Sequence, residues 1–187
     1  MTWKVDNAHT AIEFSVRHMM VSTVKGNFTD FAGELELDPD DPGRSRARAT
    51  IQVASVDTRQ AMRDQDLRSA NFFDAEQFPV IRYASRAVQH LGGDRYRVEG
   101  ELTIRDITRP LPLEVRFLGL QQSPWGTRVA GFEASGSLSR KDFGITYNVA
   151  LETGGLVVGD EVKIRIDAEA VEEVAVPEPA AALLVSA

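Results

Sequence analysis

Apolar and polar residues alternate along most of this chain. Ile12, Phe14, Val16 and His18 fall on one side of an extended segment, with Glu13, Ser15 and Arg17 on the other. The same period sets Ala47, Ala49, Ile51 and Val53 against Arg48, Thr50 and Gln52. It returns in Tyr96, Val98, Gly100, Leu102 and Ile104, and again in Leu111, Leu113, Val115 and Phe117. Ala130, Phe132, Ala134, Gly136 and Leu138 repeat it, and Val162, Ile164, Ile166 and Ala168 close the series. Successive side chains of a β-strand point to opposite faces, so each run predicts a strand that buries one face. Shorter strands are predicted over Val24–Phe28, Ala32–Leu37 and Val80–Val88. Turn formers separate them: Asp38-Pro39-Asp40-Asp41-Pro42-Gly43, Gly92-Gly93-Asp94, Ser123-Pro124-Trp125-Gly126 and Gly154-Gly155.

Many short strands, each apolar on one face, bury that face either as a sandwich or as a closed barrel. Small residues at inward positions (Ala47, Ala49, Gly100, Ala134, Gly136) favour the barrel. They ease strand bending or leave room inside beside larger residues such as Phe14 and Phe132. The expected fold is an all-β antiparallel barrel. One segment breaks the rhythm: Gln60–Phe73 carries Met62, Asp66, Leu67 and Ala70 among Arg63, Asp64 and Arg68, and predicts a short helix capped by Thr58. Phe72, Phe73 and Phe78 follow, and either plug one end of a barrel or sit in a loop tucked onto the core. Residues 173–187 turn to Ala, Pro and Val without a period, which predicts a disordered tail behind a single domain over 1–172.

A length of 187 residues suits one domain with a sizeable core. A net charge of -7, with no Lys/Arg cluster, argues against a nucleic-acid partner, because phosphate binding needs a positive stripe. There is no cysteine, which removes disulfides and thiolate metal sites. No apolar run approaches the roughly 20 residues of a spanning helix. The start, Met1-Thr2-Trp3-Lys4-Val5-Asp6, lacks a basic region followed by an apolar one. The expectation is a cytoplasmic protein, or a periplasmic or secreted one if a leader has been removed.

Candidate chemistry is sparse. His9, His18 and His90 are the three histidines, and a metal site needs three or four convergent ligands, so no metal is expected. His18 falls on an inward strand face, as a hydrogen-bonded core histidine or as a group that orients a polar head inside a cavity. There is no G-x-S-x-G elbow and no glycine-rich phosphate loop before a helix. These residues offer no catalytic set, so binding is expected rather than catalysis.

Four separated stretches form a pattern of their own. The first is Asp6-x-x-His9-x-x-Ile12-x-Phe14-x-Val16-x-His18 with Val24-x-Gly26-x-Phe28-x-x-Phe31-x-Gly33. The second is Arg63-Asp64-x-x-Leu67-x-Ser69-x-x-Phe72-Phe73-Asp74 with Phe78-Pro79 behind it. Leu102-Thr103-Ile104-x-x-x-Thr108-x-Pro110 is the third, and Arg140-x-Asp142-Phe143-Gly144 with Val158-Gly159-Asp160-x-Val162 the fourth.

Together these four stretches resemble the YceI-like polyisoprenoid-binding family, and the resemblance implies an eight-stranded, lipocalin-like barrel whose apolar channel holds an isoprenoid or another long-chain lipid, polyisoprenoid or quinone in type. On that basis Phe14, Val16, Leu102, Ile104, Leu113, Val115, Phe132 and Leu138 line the channel. Phe28, Phe72, Phe73 and Phe143 stand near its ends, and His18 is a candidate head-group contact. The ligand is the one partner expected, with no cofactor, and a homodimer is left open. His9, Arg63, Asp64, Arg140 and Asp142 are expected to tie loops to the barrel by charge-assisted hydrogen bonds. Asp66 and Asn71 depart from the family pattern, which often has histidine and aspartate there, and many relatives carry a periplasmic leader. The alternatives are an enzyme acting on a lipid or quinone, with His18 as acid or base, and a barrel packed solid that serves as an interaction module.

Overall fold

The computed structural model describes residues 1–38, 40–152 and 156–173. The expected tail beyond Glu173 and the Gly154-Gly155 turn lie outside the described residues. Among these residues the chain forms β1 (Thr2–Val5), β2 (Ala11–His18), β3 (Ser22–Phe28), β4 (Phe31–Glu36), β5 (Arg46–Gln52) and β6 (Val56–Asp57). The helix α1 (Ala61–Arg68) comes next, then β7 (Val80–Gly92), β8 (Arg95–Ile104) and β9 (Ile107–Pro110). The chain ends in β10 (Leu113–Gln122), β11 (Arg128–Ser139) and β12 (Val158–Glu172).

Several short strands are halves of longer ones. β12 pairs with β1 at Val5↔Ala170 and with β2 at Ala11↔Asp167, so β1 and β2 form one interrupted wall. β3 and β4 form the next, β5 and β6 a third, and β9 continues into β10 along β8. Eight antiparallel walls result, each bonded to its neighbours in sequence, and the β1–β12 pairing closes them into a barrel. Closure leaves no unpaired edge along the ring. The break between β1 and β2 is pinned to β12: Asp6 N donates to Glu169 O at 2.8 Å, and Thr10 Oγ1 accepts from Glu169 N at 3.1 Å.

Up-and-down winding sends the loops to two ends. The first end gathers Met1, the 37–46 loop, the β7–β8 turn and the β10–β11 turn. The second gathers the β2–β3 hairpin, α1, the β8–β9 hairpin and the stretch after β11. In the β8–β9 hairpin both turn residues, Arg105 (φ 52) and Asp106 (φ 58), are left-handed, the backbone that matches strand twist across a two-residue loop.

Several local expectations are corrected. Val53 lies in a 3-10 turn that splits β5 from β6 rather than in a strand. α1 is capped by Gln60, whose side chain accepts from Arg63 N, and not by Thr58. Thr58 is buried instead, its N–H and hydroxyl both donating to Asp64 Oδ1, while Arg63 Nε donates to Thr58 Oγ1 at 2.7 Å. The helix therefore hangs from the end of β6 by a polar knot. Phe72 and Phe73 join the core, but Phe78 sits beneath the Arg105 guanidinium, 5.8 Å from its ring centre, and plugs nothing.

Gly100 and Gly136 correct the view that small inward residues leave empty room. A side chain at position 100 would collide with the Tyr83 ring, and one at 136 would stand 2.9 Å from Leu113 Cδ2. These glycines seat larger residues from neighbouring walls. Ala47, Ala49 and Ala134 do border open space.

Candidate functional site

The barrel interior holds an apolar channel in two chambers. The smaller, of about 380 Å³, lies toward the first end among Trp3, Val5, Leu35, Val115, Phe117 and Phe132. The larger, of about 730 Å³, lies toward the second end among Phe14, Phe28, Ile81, Leu102, Leu138 and Phe143. Both fall in the range of small-molecule sites. Ile12, Ala49, Tyr83, Leu113 and Ile166 border both chambers and form the waist between them.

Alternation produces this lining. β7 presents Ile81, Tyr83 and Ser85 inward and Arg82 and Arg86 outward; β12 presents Ile164 and Ile166 inward against Lys163 and Arg165. The outer faces carry ion pairs, such as Arg97 with Glu99 and Glu114, which keep the sheet soluble and add little stability.

The sequence-proposed lining residues divide between the chambers. Phe14, Val16, His18, Phe28, Phe72, Phe73, Leu102, Ile104, Leu138 and Phe143 border the larger one. Val115 and Phe132 border the smaller, and Leu113 borders both. Trp3, Tyr83, Ile145 and Ile166 were not singled out and also line the channel. Tyr83 was detectable: Ile81, Tyr83 and Ser85 continue the same alternation.

The second end is closed in part by aromatic packing. Phe28 meets Phe14 at 5.6 Å and Phe73 at 5.9 Å between ring centres, and Phe72 meets Tyr147 at 5.6 Å. Beneath them, Arg140 is 4% exposed and spends its guanidinium on the carbonyls of Gly159, Ile145 and Tyr147 at 2.8–2.9 Å. Burial pushes its pKa down, with the carboxylate of Asp160 opposing. Asp160, at 3.4 Å, is its acidic partner; Asp142 is exposed and ties no loop to the barrel by a side-chain bond among the described residues.

His18 is not a hydrogen-bonded core histidine. It is half-buried at the mouth of the larger chamber, and its ring has no hydrogen-bond partner among the described residues. Asp66 stands at the same mouth and accepts from Asn71 Nδ2 at 3.1 Å, so the two departures from the family pattern are bonded to each other. His90 is far from either, stacked on Tyr96 at 4.9 Å.

Tyr83 is the polar side chain at the waist. Its hydroxyl donates a long bond of 3.4 Å to Leu111 O, and burial pushes its pKa up to about 12. Outside the channel, Asp6, His9 and Glu169 bring three ligand-type atoms within 4.8 Å of one another. His9 Nδ1 is already bonded to Asp6 Oδ2 at 2.8 Å. That bond raises the pKa of His9 and lowers that of Asp6. The group fastens the β1–β2 break to β12.

Comparison with known proteins agrees with this architecture. The family model of the YceI-like domain matches residues 3–170. The chain is 38% identical over 165 residues to the UPF0312 protein SAS2572 of Staphylococcus aureus, covering 88% of this chain and 94% of that one. The structure is similar to Burkholderia cenocepacia BcnA, with a TM-score of 0.77, 25% identity, and 88% and 98% of the two chains covered. It shares its fold with a polyisoprenoid-binding domain from Saccharophagus degradans, at a TM-score of 0.65, 13% identity, and 91% and 98% coverage. No helix among the described residues is long and apolar enough to cross a membrane. The closed barrel, its channel and the match over nearly the whole chain lead to one conclusion: this protein belongs to the YceI-like family.

Proposed function

We propose that this protein binds a long-chain lipid of isoprenoid or quinone type in its channel and carries or stores it. The observation that carries the reading is the pair of apolar chambers, about 380 and 730 Å³, which adjoin across Ile12, Ala49, Tyr83, Leu113 and Ile166 inside the barrel. A compact ligand needs one chamber; only an elongated one fills both. Burying a CH₂ group gains about 0.8 kcal/mol, and association costs about 4–15 kcal/mol. A chain of a dozen carbons gains about 10 kcal/mol, inside that range, whereas one of about twenty carbons gains about 16 kcal/mol and exceeds it. Apolar walls recognise length and girth, so the expected specificity is loose. The S. degradans domain of the same fold is itself a polyisoprenoid-binding domain, which is consistent with this reading.

The rival is an enzyme with His18 as acid or base. A general base is held in line by an orienting partner, and none holds the His18 ring among the described residues. The two readings part in one experiment. Wild type and His18→Gln are incubated with a quinone and isoprenoid panel, and both binding and chemical conversion are followed. Binding by both proteins and conversion by neither is the expected result. Conversion by the wild type that vanishes in His18→Gln would overturn the carrier reading.

A further inference from the structure

Exposed apolar side chains gather at the second end, where the larger chamber opens. In the β2–β3 turn, just beyond His18, Met19, Met20 and Val21 are all exposed, Met20 to 63% and Val21 to 82%. Met62 on the first turn of α1 is 77% exposed and borders the chamber, as does the exposed Tyr147 from the stretch after β11. Separate segments thus hold apolar tips out to water around one opening, and a patch of that kind marks an interaction site.

Folding does not ask for these residues. Val21 N donates to His18 O at 3.2 Å across the turn, and Met19 (φ 49) and Met20 (φ 62) both lie in the left-handed region. Gly and Asn adopt that backbone most easily, and a bulky side chain there is strained. The β8–β9 turn has the same backbone but carries the charged Arg105 and Asp106. In the β2–β3 turn the side chains are apolar and stay in water, so no burial offsets the strain. Methionine, flexible and polarisable, suits a surface that adapts to another apolar phase.

The charge beside these tips is basic. The hairpin, α1 and its lead-in carry Arg17, Lys25, Arg59, Arg63 and Arg68, none of them ion-paired among the described residues. The acids there are Asp57, which accepts from Arg59 N, Asp64, buried against Thr58, and Asp66, bonded to Asn71. On a chain of net charge -7 this is a local reversal of sign. Asp142 and Glu152 lie on the stretch after β11, so the basic side is that of the hairpin and helix. The first end also exposes Met1, Leu91 and Trp125, but Arg44, Arg116 and Arg128 there are paired with Asp38, Asp94 and Glu172. The Met1 ammonium, Arg46 and Arg95 are left, and Asp40 and Asp41 share that end.

We infer that the second end docks on an anionic lipid bilayer, with Met19, Met20, Val21 and Met62 entering the boundary between headgroups and acyl chains and the hairpin and helix cations meeting lipid phosphates. Apolar tips that insert and cations that attract are the two components of interfacial binding. The inference rests on the lipid-carrier reading and gives the channel its place of loading: the larger chamber opens against the membrane, and a long-chain lipid passes between bilayer and barrel without crossing water.

Co-sedimentation of the full chain with vesicles tests this. The protein should sediment with vesicles of equal parts phosphatidylcholine and phosphatidylglycerol. It should do so far less with phosphatidylcholine alone, or at about 1 M salt, where charges are screened beyond about 3 Å. Met20→Glu/Val21→Glu changes exposed tips only, so it should keep the melting temperature and weaken sedimentation about ten-fold. Lys25→Gln/Arg59→Gln should lose the preference for phosphatidylglycerol. Loading is followed with geranylgeraniol, supplied either within the same vesicles or as an ethanol dispersion. Wild type should load from both sources, and Met20→Glu/Val21→Glu should match it from the dispersion but lag from the vesicles. Absence of sedimentation, equal sedimentation with both vesicle types or by Met20→Glu/Val21→Glu, or equal slowing from both sources would overturn the docking surface. Wild-type loading from the dispersion would then leave the carrier reading standing. Absence of wild-type loading from either source would overturn the carrier reading and the loading role with it.

Discussion

The phenol of Tyr83 occupies the space that a side chain at position 100 would fill. Tyr83 lies on β7 and Gly100 on the adjacent β8, paired one step away at Ser85↔Gly100 and Tyr83↔Leu102. The bare backbone lets the ring lie across the wall at the waist of the channel.

Gly100→Ala should therefore destabilise the fold by about 1–3 kcal/mol through overpacking. In a Tyr83→Ala background the same change should cost far less, because the colliding ring is gone. Chemical denaturation of the four proteins of this cycle gives the coupling directly. Strictly additive costs would mean that the two residues do not share one volume.

Burial of Tyr83 also makes a statement about pH. The unfolded phenol titrates near its ordinary 10.0, and the folded one at about 12. Between these values the folded state holds a proton that the unfolded state has lost, so stability falls as pH rises. The contribution is fully present below pH 10 and fades through about 12. Tyr83→Phe should flatten this alkaline slope, as followed by urea midpoints from pH 9 to 11.5. An unchanged slope would place the phenol in water.

Phe132 packs against Phe117 at 5.3 Å between ring centres and borders the smaller chamber. Phe132→Asp puts an unpaired charge into an apolar wall, at a cost of several kcal/mol. Both the melting temperature and lipid uptake should drop. A variant that keeps both would show that this position does not face the interior.

Much of the fold was legible from alternation, because each strand buries one face inside the barrel. β2, β8, β11 and β12 read clearly for that reason. β1 has four residues, too few to display a period, and β9 is mostly exposed, so neither stood out. A bulge between Phe117 and Gly119 breaks the rhythm of β10 and turns Leu118 outward. The channel walls followed from the inward positions. Its division did not, since a waist at Tyr83 depends on which residues face each other across strands. The acidic partner of Arg140 was not legible for a similar cause, since Asp160 reaches it only where the chain returns at β12.

The central claim is that the channel holds a lipid, and native mass spectrometry of protein purified without detergent tests it most directly. The account predicts a folded species heavier than the chain by one long-chain molecule, which organic extraction then releases in stoichiometric amount. A uniformly empty protein that also fails to take up long-chain lipids added afterwards would contradict it.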